Sequence, residues 1–130
     1  MNPNPMTENE LSAIIVNTAF HMHLKLGPGL LEAVYEEIMH HELLKRGLKV
    51  SRQKGLPVIW EGLKMDLGFR ADLIIEDKVI LEIKSVETIA AVHQKQLLTY
   101  LKITGMKLGL LINFNEALIK DGITRIVNNL

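Results

Sequence analysis

The sequence predicts a mixed α/β (α+β) fold, in which helices flank a central mixed β-sheet and the elements follow the order ααββββαββ. Two segments of helical apolar period come first, short β-type apolar segments follow, and a helical segment then precedes a continuously apolar strand. With 130 residues and 48% hydrophobic content, the chain can bury one sizeable core. No linker-like stretch divides it, so residues 1–130 are expected to form a single domain.

The first two elements are predicted to be helices. Thr7 and Glu10 have the spacing of a capping box, which starts a helix that continues to the Gly-Pro-Gly break at residues 27–29. A helical apolar period from Leu30 to Arg46 predicts the second helix.

The remaining elements are predicted from apolar segments bounded by turn residues. A third helix is expected between two sets of strands, where it can act as a crossover and return the following strand parallel to the preceding one. The predicted strands are Lys49–Gln53 with Leu56–Trp60, Leu63–Leu67, Leu73–Ile75 and Val79–Ile83, the helix is Ile89–Ile103, and the last strands are Lys107–Phe114 and Ile123–Val127.

A hairpin in the middle of the chain is expected to carry three polar side chains on one face. Glu82 and Lys84 share a face because side chains alternate along a strand. A three-residue loop centred on Asp77 pairs Asp72 with Glu82 and brings Asp72 to the same face. The hairpin therefore predicts a cluster of two carboxylates and one ammonium.

This cluster suits metal-assisted hydrolysis of a phosphodiester. Two carboxylates can hold Mg²⁺ or Mn²⁺, which prefer oxygen ligands. Lys84 would orient the attacking water or offset the charge that develops on the phosphate oxygens. The alternative is a solvated hairpin face whose charges serve solubility, and the cluster alone does not decide between them.

Two further polar stripes lie at helical spacing. Glu32 and Tyr35 fall three residues apart in the second helix, and Glu32 occupies the first turn, where the helix dipole favours an anion. His93, Gln96 and Tyr100 form a stripe on the third helix. Each stripe also has a structural interpretation, since Glu32 can stabilise the helix start, Tyr35 can belong to the core and Gln96 can be a surface residue.

Together these motifs resemble the signature of the bacterial GxxExxY proteins, which are placed in the PD-(D/E)XK nuclease superfamily. The resemblance extends from about Leu11 to Val127 and implies a restriction-endonuclease-like core, a mixed four-stranded sheet flanked by helices. The segments that carry it are Gly29–Tyr35, Phe69–Asp72, Glu82–Ser85, His93–Leu101 and Gly109–Phe114.

The resemblance also implies roles for individual residues. Asp72 and Glu82 would be metal ligands, Lys84 the catalytic lysine, and Glu32 a third ligand, as in archaeal Holliday-junction resolvases. The cofactor would be Mg²⁺ or Mn²⁺ and the substrate a nucleic acid, with DNA favoured over RNA. These assignments identify a nuclease site that no single motif would indicate.

Gln96 and Tyr100 match the Gln-x-x-x-Tyr motif that RecB-type nucleases use beside the metal site. Ala71 departs from the proline of the superfamily name, at a position that varies widely. His23 could approach the site, as a histidine does in RecB-type nucleases, or could be a structural residue.

Charge and cysteine content restrict the partners and the compartment. The 15 basic residues balance 15 acidic ones, so global attraction to nucleic acid should be weak. The absence of cysteine excludes disulfides and zinc–thiolate sites. No apolar run reaches the ~18 residues of a membrane span, and Met1–Glu8 lacks a signal-peptide core, so a cytoplasmic location is expected.

One run of basic residues contains no acid and could flank a phosphate groove. The alternative is an ordinary solvated helix end and strand edge. The run consists of Lys45, Arg46, Lys49, Arg52 and Lys54.

Three function classes follow. The first is a metal-dependent nuclease. The second is a non-catalytic nucleic-acid-binding or regulatory module on the same fold, including a homodimer formed through the apolar faces of its terminal strands. The third is a glycosidase-like hydrolase that uses Asp72 and Glu82 as an acid/base pair, which the adjacent Lys84 and an aromatic content of 5% disfavour.

Overall fold

The computed structural model describes residues 5–130 apart from the side chain of Leu67. Part of the segment Met1–Glu8, for which no signal peptide is expected, lies outside the described residues. The helices are α1 (Glu8–Leu26), α2 (Glu32–Lys45) and α3 (Ala91–Thr104), and a short 3₁₀ helix spans Ile119–Gly122. The strands are β1 (Val50–Trp60), β2 (Leu63–Ile75), β3 (Val79–Lys84), β4 (Leu108–Asn113) and β5 (Ile123–Val127).

The strands form one mixed sheet in the order β1-β2-β3-β4-β5. Neighbouring strands are antiparallel except β3 and β4, which are parallel. Helix α3 connects these two strands, so the predicted crossover is confirmed. The predicted fold class, a mixed sheet flanked by helices, is also confirmed.

Each face of the sheet carries its own apolar cluster. On one face, α1 and α2 contribute fully buried residues such as Leu11 and Met39, which pack with Leu81 of β3. On the other face, Leu97 and Leu101 of α3 pack with residues of β2, β3 and β4. Alternation along β3 therefore directs Glu82 and Lys84 to the α3 face, because Leu81 and Ile83 fill the α1/α2 core.

The predicted order ααββββαββ needs one correction, because the structure has three strands before α3 instead of four. The predicted strands Leu63–Leu67 and Leu73–Ile75 are parts of the single strand β2. The register between β1 and β2 shifts opposite Pro57, which has no N–H to donate. Gly68 of β2 lies against β1 at this irregularity. A Cβ at this position would collide with the Leu56 carbonyl oxygen, so only glycine fits. A local bulge, not a turn, thus separates the two apolar segments.

The start of α1 follows the sequence prediction. Thr7 Oγ1 accepts a hydrogen bond from the Glu10 N–H, and Glu10 Oε1 accepts one from the Thr7 N–H, which completes the capping box.

Within residues 5–130, none of the helices has the length and apolar character needed to cross a bilayer.

Candidate active site

The hairpin formed by β2 and β3 has the register that places Asp72 beside Glu82. Leu73 pairs with Leu81 and Ile75 with Val79, so the loop between them is centred on Asp77, as predicted. Asp72 and Glu82 each lie one residue beyond the Leu73–Leu81 pair, and their side chains are close enough for the Asp72 carboxylate to act on the Glu82 carboxyl. The carboxylate of Asp72 accepts a hydrogen bond from the Ile83 N–H at 2.8 Å. The end of β2 is thereby tied to the strand that carries Glu82 and Lys84.

Glu82 lies in an environment that opposes its ionisation. Burial, followed by the nearby charge of Asp72, raises the pKa of Glu82 to about 9, although the charge of Lys84 acts in the opposite direction. Its Oε1 is buried and has no hydrogen-bond partner among the described residues. A buried oxygen without a partner is costly, and it marks a position where a cation or a proton would be stabilised.

These donors fit a hard divalent cation. Two neighbouring carboxylates, one with an unpartnered oxygen, supply the oxygen ligands that Mg²⁺ and Mn²⁺ prefer. Within residues 5–130, however, no group of three acidic, histidine or cysteine side chains gathers in a way that could hold a metal ion. The structure therefore brings Asp72 and Glu82 together but does not assemble the predicted set of three carboxylates with Glu32.

Glu32 lies at the first residue of α2, close to the end of β3. Its Oε2 is 3.4 Å from the N–H of Ser85, the residue after Lys84. Ser85 Oγ also donates to the Leu30 carbonyl at 2.6 Å. Glu32 thus flanks the segment that leaves the Lys84 strand, on an exposed helix start.

Tyr35 explains how this helix start is held in place. Its ring is fully buried and stacks on Phe114 at a centroid distance of 4.5 Å. Its hydroxyl donates to the Gly27 carbonyl at 2.6 Å and accepts from the Leu30 N–H at 3.2 Å. Tyr35 is therefore a core residue that fixes the Gly-Pro-Gly break, and through the break it fixes the position of Glu32.

Helix α3 brings Tyr100 and Gln96 to the same face as Glu82. Burial and then the charge of Glu82 raise the pKa of Tyr100, while a hydrogen bond with Gln96 lowers it. The Tyr100 ring stacks on Phe69 of β2 at a centroid distance of 3.5 Å and an interplanar angle of 6°. This stack holds the phenol close to the carboxylates.

The two histidines considered from the sequence have structural contacts. His23 Nε2 lies 2.9 Å from the Glu116 carbonyl oxygen, and the ring is largely buried. His93 Nδ1 accepts a hydrogen bond from the Ala90 N–H at the start of α3.

Four of the five predicted phosphate-contacting cations form ion pairs with carboxylates of this chain. Lys45 and Arg46 both pair with Glu42. The others are Lys49 with Asp77 at 2.7 Å and Arg52 with Glu36 at 2.8 Å. Within residues 5–130, Lys54 forms no ion pair shorter than 4.0 Å.

Three polar residues near the site were not predicted to belong to it. Glu36 and Gln53 join a hydrogen-bonded chain that ends on Asp72. Asn113 is fully buried and makes hydrogen bonds to both the N–H and the carbonyl of Val86, which holds the segment after Lys84. Glu36 lies one helical turn after Glu32, a spacing that could have drawn attention to it. Asn113 lies in the segment Gly109–Phe114 that carries the family resemblance, whereas Gln53 carried no sequence signal.

Comparisons with known proteins agree with this geometry. The sequence matches the family model described as the PD-(D/E)XK nuclease superfamily over residues 9–126, which is most of the chain. The comparison with curated proteins found no match, and the comparison with solved structures found none either. The superfamily resemblance is confirmed, while the narrower GxxExxY resemblance stays a prediction. This match over most of the chain shows that the protein belongs to the PD-(D/E)XK nuclease superfamily, and the closeness of Asp72 to Glu82 agrees with it.

Proposed function

We propose that this protein is a metal-dependent nuclease that hydrolyses phosphodiester bonds at the site formed by Asp72, Glu82 and Lys84. The observation that carries the proposal is the buried, unpartnered Oε1 of Glu82, which lies in the field of both Asp72 and Lys84. Burial keeps the Glu82 carboxyl protonated at neutral pH, because its pKa is raised to about 9, and a cation that replaced the proton would give the buried oxygen a partner. The superfamily match supports the nuclease class.

In this proposal, Asp72 and Glu82 hold Mg²⁺ or Mn²⁺. Such an ion would polarise the phosphate and lower the pKa of a bound water. Asp72 is oriented for this task because the Ile83 N–H holds one of its oxygens. The ammonium of Lys84, on the same face as Glu82, orients the attacking water or stabilises the negative charge that grows on the phosphate oxygens. Gln96 and Tyr100 line the same site from α3.

The substrate in this proposal is a nucleic acid, with DNA expected from the superfamily resemblance, and the enzyme acts in the cytoplasm. Lys45 and Lys49 are largely exposed in their ion pairs, and such pairs contribute little free energy. They can therefore exchange a carboxylate for a phosphate, together with Arg46 and Lys54. A homodimer would supply one site for each strand of a duplex.

We expect the purified protein to cleave at least one member of a labelled panel of single-stranded, duplex, flap and junction DNA and RNA. Cleavage should require Mg²⁺ or Mn²⁺ and should stop in excess chelator, because the site needs a cation between Asp72 and Glu82. Gel electrophoresis of the products identifies the substrate class. Binding of nucleic acid without cleavage under all these conditions would favour the non-catalytic module instead.

A second expected result concerns Glu32, which flanks the site without joining its two carboxylates. The substitution Glu32→Gln should weaken Mn²⁺ binding by about tenfold, at the low end of the effect of outer groups on a metal site. Stability should hardly change, because the side chain is exposed and an amide oxygen can still accept from the Ser85 N–H. Isothermal titration calorimetry and urea unfolding measure the two quantities. Unchanged Mn²⁺ affinity would assign Glu32 to the helix start alone.

A further inference from the structure

Gln53 of β1 connects the predicted metal-binding carboxylate Asp72 to a buried carboxylate on α2. Its side-chain Nε2 lies 2.8 Å from Glu36 Oε1 and 3.2 Å from Asp72 Oδ1. Glu36 is an acidic residue but only 7% exposed. One amide group therefore spans the space between the helix and the end of β2.

The orientation of this amide is determined by its partners. An ionised carboxylate only accepts hydrogen bonds, and an amide nitrogen has two hydrogens to donate. With carboxylates on both sides, the nitrogen of Gln53 must face them and each hydrogen is used once. The two oxygens of Asp72 then have one donor each, Gln53 Nε2 and the Ile83 N–H. These two bonds restrain the rotation of the Asp72 carboxylate.

The helix end of this connection is itself held firmly. Arg52 Nε donates to Glu36 Oε2 at 2.8 Å, so the two oxygens of Glu36 also have one donor each. Glu36 is the least exposed of the carboxylates that pair with the predicted basic residues. Charge-assisted bonds of this kind hold their geometry better than neutral ones. Glu36 is thus a fixed support for the Gln53 amide.

The backbone of Gln53 shows that this placement has a conformational cost. Its φ is +52°, in the left-handed region that residues with a Cβ rarely adopt. The adjacent pairs Arg52↔Leu73 and Lys54↔Ala71 are in register, whereas Gln53 leaves the ladder opposite Asp72. Residues with a strained backbone are frequent at positions that serve a site.

We propose that Gln53 is a positioning residue, which fixes the Asp72 carboxylate for metal binding and is itself held by the Glu36–Arg52 pair. This inference rests on the proposed function, because Asp72 is taken there as a metal ligand. It goes further by placing the support of the ligand on α2 and β1, outside the hairpin that carries the catalytic motif. Outer groups that orient a metal ligand commonly change affinity by about 10–100-fold when they are lost.

The test compares Mn²⁺ affinity and stability in two variants of the full chain. Gln53→Asn keeps a residue that tolerates a positive φ but shortens the amide by one methylene, so it can no longer reach both carboxylates. Gln53→Gly removes the amide and relieves the backbone at the same time. The matched control is Glu61→Gly, which relieves a positive φ of 46° in the β1–β2 turn, eight residues further along the chain.

We expect both Gln53 variants to bind Mn²⁺ about 10–100-fold more weakly by titration calorimetry, with midpoints of thermal unfolding no lower for Gln53→Gly than for the wild type. Glu61→Gly should bind Mn²⁺ as the wild type does. Wild-type affinity in both Gln53 variants would overturn this inference and leave the proposed function intact. Unfolding of Gln53→Gly would overturn it too, because the role would then be structural. A wild type that binds no Mn²⁺ would overturn both proposals.

Discussion

Replacement of Lys84 by alanine is expected to lower the rate of phosphodiester hydrolysis by about 10²–10³-fold, the usual effect of removing one group that stabilises charge in a transition state. Lys84 shares a face with Glu82, and its charge acts on the Glu82 carboxyl, so the ammonium lies close to a carboxyl that the proposed function assigns to the metal. Single-turnover cleavage of the preferred substrate, at saturating Mg²⁺, measures the effect. The fold should persist, because β3 is held by its buried apolar residues.

The control for this variant is Lys107→Ala. Because β3 and β4 are parallel, Lys84 pairs with Asn113, while Val79 pairs with Leu108 at the other end of the strands. Lys107 therefore lies at the opposite end of the sheet from the site and is exposed. The Lys107→Ala variant should therefore retain wild-type activity. Equal cleavage by the Lys84→Ala variant would mean that the activity comes from a contaminant or from another site, and a changed circular dichroism spectrum would point to a structural role for Lys84.

Most of the fold could be predicted from local sequence patterns, because those patterns depend on interactions between near neighbours. The hairpin register followed from the length of the loop around Asp77, and the capping box of Thr7 located the start of α1. The continuity of β2 could not be predicted in this way. The continuity of β2 depends on the close approach of Gly68 to the backbone of Leu56 on the neighbouring strand, and that contact exists only after the strands have paired.

The candidate site was predictable to a similar extent. Asp72, Glu82 and Lys84 could be placed together because strand alternation and one loop determine their positions. The basic run was different, since its charges were visible while their partners were not. Glu36 reaches Arg52 from another element, so the pairing depends on how α2 packs against β1. Gln53 carried no signal at all, because the role proposed for it depends on a backbone conformation and two long-range contacts.

The second large effect is expected from the carboxyl of Glu82, whose ionisation is linked to both stability and metal binding. The pKa of this group is about 9 in the folded protein, against an ordinary value of 4.5. The folded state therefore holds a proton that the unfolded state has released between these pH values. The contribution of this group to stability is fully present below about pH 4.5 and is lost as the pH rises towards 9, at up to about 1.4 kcal/mol per pH unit for one proton.

Glu82→Gln should remove this dependence, because glutamine resembles the protonated acid and does not ionise. Urea unfolding in the presence of chelator should show that the free energy of unfolding of the variant increases relative to that of the wild type as the pH rises from 5 to 8. The matched control, Glu61→Gln, replaces an exposed carboxylate in the β1–β2 turn and should follow the wild-type curve. Parallel curves for Glu82→Gln and the wild type would contradict the raised pKa.

Metal binding should change in the opposite direction from stability. A cation must displace the proton of Glu82 before it can bind, so wild-type affinity for Mn²⁺ should rise by up to about tenfold per pH unit below pH 9. Glu82→Gln removes an anionic ligand and should weaken Mn²⁺ binding by more than about 100-fold, beyond the effect of an outer group. The same substitution would then stabilise the metal-free protein at pH 8 and abolish its metal binding. This combination is expected of a buried carboxylate that binds a cation. If the carboxylate instead stabilised the fold, its replacement would lower the stability of the metal-free protein.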